Sequence, residues 1–438
     1  MKRHLCIIFA LILAQSGVNA QTYTLQSCLE AGLENNYSLR ITRNKEQISH
    51  NNATLANAGY LPTIDLNAGY DANLANSDSK LRATGETQSV RNSLDHTLTA
   101  GIGLDWTIFD GFNISTNYKQ LKELEKMGET TTRIEIEDFI ANLAAEYYNF
   151  IQQRLRLVNY YYAVSLSKER LRIVEERYNI GNFSRLDYQQ AKVDFNADSA
   201  QYIKQQEIVI TSRIALNEMM AIEQVYTPIE TEEKHIAING ELDFNDLWNS
   251  TITNNANLLL ADQNSNMAKF DYKKVLSRNY PYVKLNAGYR YTFNKYDTNS
   301  YTRRSNWEGS AGVTIGFSIW NGNRRREKRN AEIEIKNMEL QREQLELALK
   351  AELGNLWSAY QNNLQLLSLE KQNVVTAREN HEIAKERYML GDLSGIEMRE
   401  AQKSLLDAEE RLLSVEFDTK MCEISLLQIS GKITEYLK

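Results

Sequence analysis

The chain has 438 residues, of which 24% are charged, and acidic residues outnumber basic ones by 57 to 50. This acidic balance disfavours nucleic acid as a partner. After the first twenty residues, no stretch approaches the roughly 18 consecutive apolar residues of a membrane-spanning helix, so any part that enters a bilayer is expected to do so as strands.

Residues 1–20 have the pattern of a secretory signal peptide. Lys2 and Arg3 form a basic start, an apolar segment follows, and Val18-Asn-Ala20 is a small-residue cleavage site. Cleavage there removes two cations and leaves 48 basic residues against 57 acidic ones. We therefore expect an exported protein, with an outer membrane as its destination.

Cysteine usage excludes a disulfide framework, because only Cys28 and Cys422 remain after the signal is removed. A single bridge between them stays open. Leu25-Gln-Ser-Cys28 weakly resembles a lipoprotein cleavage box, but it lies well beyond the apolar segment and inside a helical pattern.

The two halves of the chain contain matching sequence motifs in the same order. Tyr60-Leu-Pro-Thr-Ile-Asp-Leu-Asn-Ala-Gly-Tyr70 recurs as Asn279-Tyr-Pro-Tyr-Val-Lys-Leu-Asn-Ala-Gly-Tyr289, at an offset of 219 residues. Further along, Ile108-Phe-Asp-Gly111 matches Ile319-Trp-Asn-Gly322. Ordered matches of this kind indicate duplication. We expect a first repeat at 21–223, a linker at 224–241 and a second repeat at 242–438.

Each repeat contains two segments in which apolar and polar residues alternate, which predicts strands at about 60–71, 98–110, 280–293 and 308–320. Polar loops are expected between the strands of each pair, at 71–95 and 294–306. A soluble sandwich alternates in the same way, but four strands are too few for one in a chain of this length. They are also too few to close a membrane barrel, so several copies are expected to share one.

Long helices are predicted from the scarcity of proline, which occurs three times in the chain. Asn113–Tyr178 and Asn323–Tyr388 are proline-free stretches of 66 residues, each about 100 Å long if helical. The turns at Gly181 and Gly391 predict helical hairpins over 113–222 and 323–431. Single helices over 23–58 and 244–277 are expected to precede the strands. The fold class is thus mainly α, with long antiparallel coiled-coil hairpins and a membrane β portion.

The turns carry a resemblance to a known family. Arg177-Tyr-Asn-Ile-Gly-Asn-Phe-Ser-Arg-Leu-Asp187 and Arg387-Tyr-Met-Leu-Gly-Asp-Leu-Ser-Gly-Ile-Glu397 resemble the periplasmic tip signature of the TolC family of outer-membrane channel proteins. The resemblance implies a homotrimer with a shared twelve-stranded barrel and a helical tunnel. It also implies that the tips at Tyr178, Gly181 and Gly391 contact a periplasmic adaptor. An inner-membrane pump of the RND or ABC type would then drive efflux or type I secretion.

The resemblance also implies functional residues at the tips. Glu397 and Glu400 match acidic residues that ring the tunnel entrance, although most glutamates at this spacing are simply solvated helix-surface acids. Asp187 and Tyr388 match an Asp and a Tyr that hold the family's closed tip. Leu393 stands where the family has an Arg that pairs with this Asp, so Arg185 or Arg399 would have to replace it.

A run of basic residues follows the last predicted strand. Arg324-Arg-Arg-Glu-Lys-Arg329 opens the second long helix, where cations oppose the helix dipole. Lipid phosphates could offset this cost, or the segment is a plain solvated face.

The sequence contains no catalytic constellation, since His381-Glu382 lacks the second His of a zinc-protease helix. We therefore expect no enzyme activity, no metal and no cofactor. An exported coiled-coil or adhesin-like structural protein is the rival interpretation.

Overall fold

A computed structural model describes residues 21–298 and 301–437, so the predicted signal peptide at 1–20 lies outside the described residues. The chain divides into two compact units. The first comprises the described residues up to Asn44 with Thr130–Leu259 and the chain from Glu343 onward; the second comprises Lys45–Glu129 and Leu260–Arg342. The helices are α1 (Leu25–Asn35), α2 (Tyr37–Asn52), α3 (Leu55–Ala58), α4 (Asn113–Asn179), α5 (Arg185–Met219), α6 (Phe244–Asn254), α7 (Ala256–Ser277), α8 (Arg324–Leu390) and α9 (Gly395–Ile429).

Two helical hairpins dominate the chain. Helices α4 and α8 have 67 residues each, and the returning helices α5 and α9 have 35 each. At 1.5 Å per residue, α4 and α8 are each about 100 Å long. One side of α8 is apolar and packed, because Leu349, Leu353 and Tyr360 are buried in one cluster with residues of α6, α7 and α9.

The helices before the strands are broken, where single helices were predicted. Each is interrupted at an asparagine, Asn36 or Asn255, whose side chain acts as a cap. The first is interrupted again at 53–54, between α2 and α3. Asn36 accepts hydrogen bonds from the N–H groups of Ser38 and Leu39 and donates one to the carbonyl of Met219. Asn255 makes the three equivalent hydrogen bonds in the second half of the chain. An Asn that competes with the backbone in this way ends one helix and starts the next, which apolar periodicity does not reveal.

The β portion is a four-stranded antiparallel sheet in which the strands lie side by side in chain order. Its strands are β2 (Thr63–Lys80), β3 (Thr87–Asp110), β5 (Tyr282–Lys295) and β6 (Arg303–Gly316). The two repeats meet in the pairing of β3 with β5, for example Ile102 with Tyr289. Strands β2 and β6 form the two edges of the sheet.

The predicted strand boundaries need correction. The loop expected at 71–95 is mostly strand, because β2 and β3 continue to the pair Lys80 and Thr87. Backbone hydrogen bonds between β2 and β3 hold these polar extensions together and do not depend on the side chains. The extensions therefore do not need the alternation of apolar and polar residues that marks a half-buried strand. Conversely, β6 ends at Gly316 rather than 320, since its partner Tyr282 follows Pro281, which has no N–H to continue the ladder.

A second sheet of two short strands was not predicted. Strand β1 (Gln21–Tyr23) pairs in parallel with β4 (Ile229–Thr231), which lies within the predicted linker. Strands of three residues are too short for periodicity to indicate. This sheet ties the start of the first repeat to the segment between the repeats.

The main apolar core lies in the first unit. Its centre on α4 is covered by side chains from α1, α5 and α9, and its members include Leu29, Ile140, Leu143, Phe150, Leu216 and Ile424. Cys28 is fully buried there, and burial raises the pKa of its thiol to about 12. Cys28 and Cys422 are both free thiols, so the bridge left open by the sequence is not formed.

None of the helices in the described part of the chain is both long enough and apolar enough to cross a bilayer.

Candidate functional site at the hairpin tips

The two tips are built from the same pair of helix signals. At the first tip, the N–H of Gly181 donates to the carbonyl of Tyr178 at 2.9 Å, and the N–H of Asn182 donates to that of Arg177 at 2.8 Å. Gly391 and Asp392 repeat both bonds at the second tip. This is the Schellman arrangement, with the glycines in the left-handed region at φ values of 81° and 89°.

The returning helices begin with capping boxes. The Ser184 hydroxyl accepts from the N–H of Asp187, and the Asp187 carboxylate accepts from the N–H and hydroxyl of Ser184. Ser394 and Glu397 form the same box at the start of α9. Two of the predicted functional acids thus have a structural role of their own, since each satisfies a free N–H at a helix start.

Aromatic and cationic side chains connect the helices at the first tip to each other and to the end of α8. Tyr178 stacks on Tyr188, with ring centroids 5.5 Å apart and an interplanar angle of 7°. Arg177 lies over the rings of Phe183 and Tyr388 at 5.3 and 5.7 Å, and it donates a hydrogen bond to the carbonyl of Met389. Arg177 of the first hairpin therefore binds the end of α8 in the second.

A cavity of about 390 Å³ lies between the two tips. It brings together three of the predicted site residues, Asp187, Tyr388 and Glu400, with Arg399 and an apolar wall that contains Phe183, Leu186 and Ile396. Glu397, Tyr178, Gly181 and Gly391 are not among its lining residues. The predicted site is therefore divided between this cavity and the exposed turns.

The predicted partners Asp187 and Tyr388 share the cavity but are not hydrogen-bonded. The Tyr388 hydroxyl is buried without a partner among the described residues, and Asp187 is held by Ser184. Burial is the main cause that raises the pKa of Tyr388 above its ordinary value, with a smaller contribution from the Asp187 charge. A buried phenol without an acceptor is energetically unfavourable, so this hydroxyl is ready to donate.

The predicted acidic pair lies in solvent. Glu397 and Glu400 are both exposed in the single chain. The hydroxyl and N–H of Ser394 lower the pKa of Glu397, because both stabilise its charged form. Glu397 therefore stays ionised at pH values where an ordinary glutamate takes up a proton.

The cations that the sequence offered as substitutes do not bind Asp187. Arg399 forms two hydrogen bonds of 2.7 Å with Asp198, which raise the pKa of its guanidinium, and Arg185 is exposed. A second pair, Arg170 with Asp194, is buried against the cavity. The sequence analysis did not predict either ion pair. A charged residue at a helix position that otherwise faces the core could have indicated them, because buried charges are usually paired.

His381 is a further group that sequence reasoning considered only as a failed zinc motif. It is fully buried on α8, and neither ring nitrogen has a hydrogen-bond partner among the described residues. The Glu382 carboxylate lies 3.5 Å from Nδ1 but is not oriented to accept. Burial lowers the pKa of His381, so the ring is neutral near pH 7. Across the described part of the chain, no cluster of His, Cys, Asp or Glu is arranged to hold a metal ion.

Comparisons with known proteins agree with this geometry. The family model described as "Outer membrane efflux protein" matches residues 29–221 and 247–432. Outer membrane protein TolC of Vibrio cholerae is 20% identical over 391 residues, which cover 87% of this chain and 84% of that protein. Among solved structures, the outer membrane protein VceC of Vibrio cholerae superposes with a TM-score of 0.74 at 17% identity, covering 93% of this chain and 96% of the other. The CmeC outer membrane channel of Campylobacter jejuni has the same TM-score at 15% identity, covering 93% and 85%.

Proposed function

Since this chain belongs to the outer membrane efflux protein family and is an efflux channel of the outer membrane that extends into the periplasm, we propose that it works as a homotrimer. Three copies each contribute four strands to one barrel of twelve strands. The helical hairpins of the three copies line a continuous tunnel below it. Substrates delivered by an inner-membrane pump pass through this tunnel passively.

The observation that carries this proposal is the sheet. It has two edges, β2 and β6, and its apolar side chains are exposed in the single chain; examples are Leu66 at 77%, Ile102 at 55% and Ile315 at 72%. Exposed apolar faces of this extent are characteristic of surfaces covered by lipid or protein. Within lipid, unpaired strand edges are costly, so edge must meet edge in neighbouring copies.

The tips are the proposed meeting point with the rest of the export machinery. Tyr178, Gly181 and Gly391 form exposed turns that are available to a periplasmic adaptor, and an inner-membrane pump of the RND or ABC type would deliver the substrate. Glu397 and Glu400 are proposed to ring the entrance, where three copies would supply six carboxylates. Such a ring favours cations.

Closure of the tip is proposed to involve Asp187 and Tyr388. Both side chains line one cavity, and the Tyr388 hydroxyl is an unused donor. Rotation of Asp187 out of its capping box would give this donor an acceptor. The exchange is inexpensive because the Ser184 bonds that are lost lie at the surface, whereas the bond that is gained is buried.

The proposal is tested by assembly and conductance. Chemical crosslinking of the detergent-purified protein should produce a ladder that ends at the trimer, and the unheated trimer should migrate as one species in mild detergent. The same sample should form discrete conducting channels in a planar bilayer. Recovery as a soluble periplasmic monomer without channel activity would favour the structural or adhesin-like alternative.

A further inference from the structure

The start of α8 carries a positive charge that its counterpart in the first repeat lacks. Residues 324–329 contain five cations, whereas the corresponding residues 113–118 of α4 contain no charged side chain. In the first repeat, the Asp110 carboxylate accepts from the N–H of Ile114 at 2.9 Å, as the helix dipole favours. In the second repeat, the neutral Asn321 replaces this acid and caps Asn323. The two helix starts therefore differ, and only that of α8 has cations that oppose the helix dipole.

Most of these cations have no acidic partner. Glu327 is bound by Arg278 at 2.8 Å, and Lys328 lies 3.7 Å from Glu332. Arg325, Arg326 and Arg329 are exposed and form no ion pair within the described residues. Residues 324–329 span only about 8 Å along the helix axis, and at about 100° per residue Arg325, Arg326 and Arg329 point to the same side of α8. These three arginines, here called the collar, thus form one cationic patch at nearly a single depth.

An exposed apolar segment comes directly before the collar. Ile319 and Trp320 are 90% and 84% exposed, and Phe317 is 56% exposed, immediately after the last pair of the strand β6. Val313 and Ile315 on β6 continue this apolar surface. A tryptophan at the end of an apolar strand face, followed within a few residues by arginines, is the order found where a chain leaves lipid for the headgroup layer.

We propose that the collar of Arg325, Arg326 and Arg329 binds the phosphate groups of anionic phospholipids in the periplasmic leaflet of the outer membrane. This inference rests on the proposed barrel, which puts the apolar face of β6 in the lipid. The apolar segment at 317–320 occupies the acyl boundary, and the guanidinium groups reach the phosphates just beyond it. Arginine suits this role because its planar group forms paired hydrogen bonds with phosphate oxygens. A nearby negative surface also offsets the unfavourable interaction with the helix dipole.

The test compares the association of two spin-labelled lipids with the reconstituted protein. The wild-type trimer is inserted into phosphatidylcholine vesicles that contain traces of spin-labelled phosphatidylglycerol or spin-labelled phosphatidylcholine. The fraction of motionally restricted label then gives a relative association constant. We expect phosphatidylglycerol to be preferred by roughly three-fold or more at low salt, with the preference falling as salt screens the charges.

Variants assign the preference to the collar. Arg325→Gln/Arg326→Gln/Arg329→Gln should reduce the ratio to about one, while the corresponding Lys triple variant should keep most of it because the charges remain. Lys168→Gln/Lys192→Gln/Lys403→Gln is the matched control, since it removes three exposed cations from the hairpin helices and should leave the ratio unchanged.

Three results would overturn the inference: equal association of both lipids with the wild type, an unchanged ratio in the Gln triple variant, or an equal loss in the control. If the Gln variant lowers the temperature at which the trimer dissociates and leaves the lipid ratio intact, the cations bind a neighbouring copy instead. Vesicle insertion is scored first, by resistance to extraction at high pH. A wild type that does not insert contradicts the proposed barrel, whereas one that inserts without lipid preference contradicts only the collar.

Discussion

The two repeats end their returning helices with the same backbone turn on different residues. After α5 the left-handed position is occupied by Ala221, at φ 55°, and after α9 by Gly431, at φ 68°. The hydrogen bonds match, because Ile222 donates to Asn217 at 3.0 Å and Lys432 donates to Leu427 at 2.8 Å. An alanine there costs about 1 kcal/mol in strain, which the first repeat tolerates.

The neighbours of each turn explain the difference. A Cβ added at Gly431 would lie 2.9 Å from the carbonyl oxygen of Asn254, a backbone atom that cannot rotate away. Thus the two matching turns have the same backbone conformation, while their surroundings decide which residue can occupy the left-handed position. The pairs of equivalent positions in this chain provide internal controls for substitutions.

The largest contrast is expected at the junctions between strands and long helices. Gly111 has φ 73°, and an added Cβ would lie 2.2 Å from the carbonyl oxygen of Ser277; its equivalent Gly322 is not in the left-handed region and would meet only the Trp320 ring, at 3.4 Å. Gly111→Ala should therefore cost about 3 kcal/mol or more of unfolding free energy, and Gly322→Ala less than about 1 kcal/mol. Thermal unfolding of the purified protein, followed by circular dichroism, checks the difference. Equal losses in the two variants would show that the junctions are equivalent after all.

Much of this architecture could be predicted because it rests on regular patterns. The absence of proline predicts α4 and α8 to within one or two residues at each end, and alternation finds the apolar centres of all four strands. The turns at Gly181 and Gly391 were also predicted, because glycine favours the left-handed conformation that ends a helix. Family membership, efflux function and the outer-membrane location were predicted from the resemblance to the TolC family and are confirmed by the family match.

The features that sequence did not predict depend on partners distant in the chain. The breaks at Asn36 and Asn255 require carbonyls at the ends of α5 and α9, which lie more than 170 residues away in sequence. The capping role of Asp187 is an exception, because the Ser-x-x-Asp spacing of 184–187 is a local signature of a capping box. The cavity and the unpartnered Tyr388 hydroxyl arise from packing between two hairpins, which no local pattern encodes.

The helix ends give the second contrast. Gly431→Ala should destabilise the protein by about 2 kcal/mol, from the strain of the left-handed conformation and the close approach to Asn254. Ala221→Gly should change stability by less than about 1 kcal/mol, because relief of strain is offset by greater freedom in the unfolded chain. Denaturant unfolding of both variants measures the two effects. A loss on Ala221→Gly as large as that on Gly431→Ala would contradict the assignment of strain.

A third contrast lies near the tips, where the buried His381 is the counterpart of Leu171. Leu171 packs against the group of buried apolar residues between the two tips. His381→Leu should stabilise the protein by about 1 to 2 kcal/mol, because it removes two buried ring nitrogens that lack partners.

The gain from this substitution should depend on pH. Since the pKa of His381 is lowered in the folded state, the unfolded state takes up the proton first, and the wild type loses stability as pH falls below about 6.5. Melting temperatures of the two proteins should therefore diverge between pH 7 and pH 5. Parallel curves would mean that the histidine is not the titrating group.

The smallest expected effect concerns the acids of the two tips, where the chain offers Glu397 with Glu400 in the second repeat and Asp187 with the neutral Gln190 in the first. Glu397→Gln with Glu400→Gln should lower the cation-to-anion permeability ratio by roughly two-fold, as measured from the reversal potential across a planar bilayer under a salt gradient. Asp187→Asn is the matched control and should change the ratio less, because it removes one carboxylate from each copy whereas the double substitution removes two. Ser394 lowers the pKa of Glu397, so the wild-type preference should persist when the pH falls to values at which an ordinary glutamate is half protonated. If Asp187→Asn changes the reversal potential as much as the double substitution does, both tips contribute to the entrance, and the functional division between the repeats is wrong.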